Sequence, residues 1–275
     1  MFGAIVGDFI GSCWEGADPF NFKGDLLSDR NHFTDDTVLT IATAYAWAVA
    51  GDMKTHYRDM INDYQDLGFS ESLIQWAGGF DAQQYLNEGN GAAIRVSPVV
   101  MWAKCRNEAI ALSRSSASVT HYNGIAIQMA ELAGAATFMA HGNCTPAEIL
   151  EFARDYSPSF YIQPRSAAPY RWESVITAIE IACDTESFED CMRHCISAGG
   201  DVDSVCAIAG AISDGLWDCP PRVVIQVLDE LKRRHPDLFR MLRLSLLGAG
   251  APKHYFRFLE KHPFTSAEQV CLPAR

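Results

Sequence analysis

Two helix-length apolar runs in this chain each begin with a pair of carboxylates, and few folds tolerate that. The first is Phe33-Thr34-Asp35-Asp36-Thr37, followed directly by VLTIATAYAWAVA. The second is Gly199-Gly200-Asp201-Val202-Asp203-Ser204, followed by VCAIAGAISDGLW. Helices this apolar do not stand exposed, so their acidic heads are carried to the edge of a core. Asp, Ser and Thr are favoured as helix caps, but one cap needs one acid and each helix here has two. The nearest Arg or Lys to the first cluster is Arg30, itself beside Asp29, and the second cluster has none close by. Up to four carboxylates at a core edge repel severely without a cation. Hard divalent ions take the carboxylate and hydroxyl oxygens that these two segments offer. The spacing favours a metal site, with plain helix capping and a solvated acidic rim as the alternatives.

The rest of the chain agrees with a helical reading. Tyr57, Met60, Ile61, Tyr64 and Leu67 fall on one face at helical spacing, as do Val224, Val227, Leu228 and Leu231. Thr145-Pro146-Ala147-Glu148 is a capping box with proline at the first helical position, and Ser187 with Asp190 is a weaker one. The segment from Tyr122 to Ala140 is apolar on nearly every face and suits a central buried helix. Gly3, Gly7 and Gly11 recur every four residues and form a smooth stripe for close helix–helix approach. Alternating strand patterns are almost absent. The expected fold is all-α, a single orthogonal multi-helix domain over residues 1–275, with no composition break that marks a linker. Two long irregular stretches, residues 16–33 and 157–170, read as lids or binding loops, or as mobile surface.

Composition and charge exclude several functions. An apolar fraction of 48% without low-complexity runs rules out disorder, and 275 residues suffice for a large core without staples. A net charge of −12 makes a poor non-specific binder of nucleic acid or anionic membrane. The one basic run, Lys232-Arg233-Arg234-His235, reads as a helix C-terminus complementing its dipole. No apolar stretch is long enough to span a bilayer, and the N-terminus lacks a basic leader and meets an acid at Asp8, which reads as a cytoplasmic protein. The nine cysteines include no Cys-x-x-Cys pair, so they read as buried reduced thiols, Cys191 and Cys195 included. Phosphate-binding GxxxxGK[ST], zinc-binding HExxH and the GxSxG elbow are all missing.

Three further features carry polar chemistry. Gly89-Asn90-Gly91-Ala92-Ala93-Ile94-Arg95 offers small residues whose backbone N–H groups can approach an anion, although such a loop is more often a turn. Glu15, ahead of the first long loop, and His121, ahead of the central helix, are lone polar residues. Taken singly, each has a structural role as its plainer reading.

Taken together, these motifs resemble the ADP-ribosylglycohydrolase family, which includes the dinitrogenase-reductase-activating glycohydrolases. The resemblance rests on Gly3-Ala4-Ile5-Val6-Gly7-Asp8 with Glu15 seven residues on, TDDT at 34–37, GNGAAIR at 89–95, Thr120-His121, and GGDVDS with its following AGAI. The motifs stand in family order across residues 3–212. The resemblance implies an all-α fold and two Mg2+ ions, sometimes Mn2+, in an ADP-ribose cleft. By position, Thr34, Asp35, Asp36, Asp201, Asp203 and Ser204 are the implied metal ligands, with Ser204 where the family usually has Thr. Glu15, Asp35 and Asp36 are the implied candidates for catalysis. Asn90, Gly91 and Ala92 would face the diphosphate or nearby ribose, and His121 the distal part of ADP-ribose.

The implied activity is hydrolysis of the glycosidic bond of an ADP-ribosyl group on protein, nucleic acid or a small molecule, releasing ADP-ribose. The alternative is a catalytically weak or inactive ADP-ribose-binding module on the same fold. A binuclear phosphoesterase would normally add histidine ligands, and neither acid cluster contains one.

Overall fold

The computed structural model describes residues 1–79, 89–157 and 169–248. The irregular stretch at 157–170 lies almost wholly outside them, as do the chain beyond residue 248 and the ninth cysteine. The described residues form α-helices in the order α1 (Phe2–Gly11), α2 (Asp35–Ala48), α3 (Met53–Asp63), α4 (Glu71–Ala77), α5 (Gly91–Ile94), α6 (Arg106–Ala117), α7 (Gly124–His141), α8 (Pro146–Tyr156), α9 (Trp172–Asp184), α10 (Phe188–Ala198), α11 (Val202–Trp217), α12 (Pro221–Arg234) and α13 (Pro236–Gly248). Among the described residues there is no strand, only the isolated antiparallel bridge between Ala17 and Gly200. The all-α expectation holds.

Local signals place most helix ends. The Thr145 capping box is formed on both sides, and the Ser187 hydroxyl accepts from the Asp190 N–H at 3.1 Å. Lys232, Arg233 and Arg234 occupy the last turn of α12, where two of them pair with Glu230. The apolar segment before residue 141 is α7, buried along most of its length.

The centre of the molecule is the pair α1 and α11, the most extensively packed helices in the structure. Every residue of α1 is buried, Asp8 included. The glycine stripe makes that possible. A Cβ on Gly3 would lie 2.1 Å from the Gly210 carbonyl oxygen, one on Gly7 2.0 Å from that of Cys206, and one on Gly11 2.6 Å from the Cα of Asp203. Backbones this close leave no room for any side chain between them. The stripe therefore fixes how far α1 slides along α11 and sets Asp8 beside the acidic head of its neighbour.

The thiols follow the sequence reading with one exception. Cys183, Cys191, Cys195, Cys206 and Cys219 are buried and Cys13 and Cys144 partly so, but Cys105 is exposed; none of these is disulfide-bonded. Among the described residues, no helix is long and apolar enough to cross a membrane.

Gly7→Ala is expected to lower unfolding stability by about 3 kcal/mol, the upper end of overpacking costs, because the obstruction is backbone that cannot rotate away. Gly124→Ala, where an added Cβ meets nothing within 4 Å, is expected to stay within about 0.5 kcal/mol. Urea denaturation of both variants checks the difference.

Candidate functional site

The two acidic heads meet. Thr34 caps α2 in extended conformation, and its side chain accepts from the Asp36 N–H at 3.3 Å. Asp201 occupies the same position before α11. Although the two clusters lie far apart in sequence, the Ser204 hydroxyl donates to Asp36 Oδ2 at 3.2 Å. The backbone N–H of Ser204 donates to Asp203 Oδ1 at 2.9 Å. Carboxylate oxygens of Asp8, Asp36 and Asp203 lie within 4.8 Å of one another.

Asp8 is the residue that sequence reading left outside the site. Its Oδ1 accepts from the Thr34 hydroxyl at 2.7 Å and its Oδ2 from the Thr34 N–H at 3.1 Å and from the Thr37 hydroxyl. Three accepted hydrogen bonds commit most of its lone pairs to the first turn of α2. Asp8 therefore anchors α2 against α1 and holds the second acid pair in place. The available signal was an acid on a helix otherwise wholly apolar, immediately after one glycine of the packing stripe.

Glu15 follows a short 3-10 turn (Ser12–Trp14) at the end of α1 and is exposed. The strap after it is tied to the second cluster, because Gly16 N–H donates to Gly200 O at 2.7 Å and Gly200 N–H to Ala17 O at 2.9 Å. Farther along, the Phe20 and Phe22 N–H groups donate to the carbonyl and hydroxyl of Ser197. Trp14 packs against Phe20 and Phe22 at ring separations of 5.5 and 5.1 Å. The buried Asn31 amide then caps α1 through the carbonyls of Phe9 and Ile10. Residues 16–33 are thus a strap pinned along its length.

Burial raises the acids. It is the largest cause at Asp8, Asp35, Asp36 and Asp203, and mutual repulsion adds to it at the last three. Asp35 is pushed up to about 7, first by burial and then by the charge of Asp8, with Asp201 and Glu15 adding to it. Among the described residues no Lys, Arg or His forms an ion pair with any of these carboxylates. Arg30 instead donates to the Cys13 carbonyl and lies over Trp14. Glu131 makes the contrast: it is equally buried, but Arg114 pairs with it and the Tyr156 hydroxyl donates to it at 2.7 Å. Among the described residues Glu131 is the buried acid with a cationic partner, whereas Asp8, Asp36 and Asp203 have hydroxyl and backbone donors only. That donor set of carboxylates and hydroxyls suits hard divalent cations.

The other expected site residues divide into two groups. Asn90 lies at the cluster, where its amide donates to Asp201 Oδ2 at 2.6 Å. Gly91 and Ala92 open α5, with Ala92 buried and Gly91 partly so. His121 sits in a separate buried group, 2.8 Å from the Thr120 hydroxyl through Nδ1. The two groups are joined by α5, which starts beside Asn90 and ends at Arg95, whose guanidinium donates to the Thr120 hydroxyl at 2.7 Å.

The sequence profile of the ADP-ribosylglycohydrolases matches residues 1–214. The chain belongs to the ADP-ribosylglycohydrolase family. Asp8, Glu15, Asp35, Asp36, Asp201 and Asp203 all fall within the matched span. The fold is also that of a solved structure described as an ADP-ribosylglycohydrolase-related protein complex, with a TM-score of 0.68 and 22% identity over 89% of this chain and 97% of that one. Among curated proteins nothing matches the chain. Membership supports a glycohydrolase-type function and, with the buried acid triad, a metal-binding centre.

The raised acids predict an unusual pH dependence for the protein in chelator. A carboxyl raised in the folded state and ordinary in the unfolded one contributes stability that is present below the unfolded value and lost as pH rises through the folded one. For Asp35 that window runs from 3.8 to about 7. The melting midpoint in chelator is therefore expected to be higher at pH 6 than at pH 8, and Asp36→Asn is expected to reduce the difference. Thermal melts across this range check it; a midpoint that climbs towards pH 8 contradicts the assignment.

Proposed function

We propose that this glycohydrolase cleaves the glycosidic bond of an ADP-ribosyl group and releases ADP-ribose, using two divalent cations, Mg2+ or Mn2+. The observation that carries the reading is the convergence of Asp35, Asp36, Asp201 and Asp203 with no cationic side chain among the described residues to neutralise them. Thr34, Asp35, Asp36, Asp201, Asp203 and Ser204 would hold the ions. Asp8, the third acid of the buried triad, has most of its lone pairs committed to the first turn of α2 and would mainly hold these ligands in place. Bound there, the ions would supply Lewis acidity.

The chain's own groups do the rest. Departure of the leaving group builds positive character on the ribose ring, and fixed carboxylates beside it stabilise that charge without reorganising. The Asn90 amide holds Asp201 in one orientation, and the Ser204 hydroxyl does the same for Asp36. Glu15, exposed and outside the ligand set, is the carboxylate free to move a proton at its Oε atoms as the bond breaks. Gly91 and Ala92 would face the diphosphate, the partly exposed Gly91 in front and the buried Ala92 behind it. The intact acid positions favour an enzyme over an inactive binding module.

The test is incubation with ADP-ribosyl-arginine, ADP-ribosyl-serine, O-acetyl-ADP-ribose and ADP-ribosylated nucleic acid, with and without magnesium. At least one substrate is expected to release ADP-ribose only with the metal. Asp203→Ala is expected to abolish that activity and the magnesium-induced rise in melting midpoint, since a ligand stabilises only what it binds. In chelator the same variant is expected to melt no lower than the parent, because a repelling charge has been removed. Glu15→Gln is expected to slow turnover by about 100-fold or more while keeping the magnesium shift. Full activity of Asp203→Ala on every substrate sinks the proposal.

A further inference from the structure

Arg95, the last residue of the GNGAAIR segment, is a fully buried cation with no acidic partner among the described residues. Its guanidinium lies 4.5 Å from the ring centroid of Tyr57. Nη2 donates to the Ser116 carbonyl at 2.8 Å and to the Thr120 hydroxyl at 2.7 Å, and Nε to the Ser116 hydroxyl at 3.4 Å. An arginine has donors only, so the hydroxyls around it have fixed directions.

One branch can be followed to its end. Thr43 spends its proton on the Leu39 carbonyl at 2.8 Å, so it accepts from Tyr57 at 2.7 Å. Tyr57 has then spent its own proton and accepts from Ser116 at 2.8 Å. Ser116 in turn accepts from Arg95. Every donor on this branch points away from the guanidinium.

The other branch ends in the imidazole. Thr120 accepts from Arg95, and among the described residues its own proton has one remaining partner, His121 Nδ1 at 2.8 Å. Nδ1 is therefore the acceptor, which places the single proton of the neutral ring on Nε2. That Nε2 is buried and meets no hydrogen-bond partner among the described residues. A buried N–H left without an acceptor is costly, and at the far end of α5 from the acids it points to an acceptor supplied by a ligand.

We propose that Arg95 and Thr120 are positioning residues that hold His121 as a neutral Nε2–H donor for an acceptor atom of ADP-ribose. The proposal rests on the glycohydrolase reading for the identity of the ligand but not for the state of the ring. Burial, with the nearby Arg95 charge, also drives the His121 pKa down to about 3. The ring thus stays neutral across the working range and serves recognition, not proton transfer.

The experiment uses the full chain labelled with 15N-histidine. Long-range proton–nitrogen correlation of the ligand-free protein reads which His121 nitrogen carries the proton, and calorimetry reads ADP-ribose affinity. The Nε2–H form is expected in the parent and in Thr120→Ser, and a mixture of both forms in Thr120→Val. ADP-ribose is expected to bind about tenfold more weakly to Thr120→Val and within about twofold of the parent to Thr120→Ser, the loss of one oriented hydrogen bond. An Nδ1–H ring in the parent overturns the proposal, and so does undiminished affinity in Thr120→Val where the parent binds. A parent that holds the Nε2 proton and binds no ADP-ribose supports the relay and overturns the glycohydrolase reading instead.

Discussion

The rest of the structure depends on the approach of α1 to α11 at backbone contact. With side chains between them the two helices would stand several ångströms farther apart, and the head of α2, which Asp8 reaches through Thr34 and Thr37, would be carried away from α11. That reach docks the head of α2, and the docking brings Asp36 within hydrogen-bond distance of Ser204. A close-packed contact between helix backbones thus assembles an arrangement that electrostatics opposes. The opposition is partly offset, because α2 and α11 both begin at the cluster. Each helix N-terminus contributes roughly half a positive charge from its unpaired N–H groups. Two such ends do not neutralise four carboxylates, and the remainder is the part a divalent cation would complete.

The fold handles buried charge in two ways, and the difference shows which charge is structural. Arg95 is surrounded by oriented hydroxyls, a carbonyl and the face of Tyr57, so the cation is solvated by the protein itself. Glu131 is matched by Arg114. These groups are finished within the chain. The acids at the heads of α2 and α11 accept hydrogen bonds that orient them without cancelling their charge, which is the usual compromise of stability for function at an active site. Since α5 touches Asp201 through Asn90 and Thr120 through Arg95, one helical turn fixes the spacing between the unfinished charge and the finished one.

Much of this was legible in the chain. The glycine period announced a close helix contact, the acid pairs announced caps with charge to spare, and their apolar continuations required burial. What stayed hidden was which element answered which. Nothing near Asp8 in sequence indicates that it receives three hydrogen bonds from residues 34 and 37. Likewise the sequence neighbours of Asn90 do not reveal a bond to a carboxylate 111 positions away. The direction of the hydroxyl chain around Arg95 was out of reach for the same reason: it depends on Thr43, Tyr57, Ser116 and Thr120 coming from three helices and a turn. Local rules locate caps, stripes and breaks; pairings between distant elements arise only when packing selects them.

The Gly199-Gly200 pair shows how local and distant demands meet at one position. Both residues have positive φ, 72° and 73°, a conformation that side chains rarely adopt. A Cβ on Gly199 would also lie 2.5 Å from the Ala17 carbonyl oxygen. The pair therefore does more than turn the chain into α11. It lets the strap after Glu15 lie against the residue just before Asp201, joined by the Gly16–Gly200 and Gly200–Ala17 hydrogen bonds. Glu15 and Asp201 are consequently held by the two sides of one short bridge. Displacing the strap would pull directly on the N-terminus of α11, and so on Asp201 and Asp203. The anchoring of the strap by Trp14, Phe20 and Phe22 resists that displacement. The position of the strap and the geometry of the acid cluster are therefore mechanically linked through a few residues on either side of the bridge.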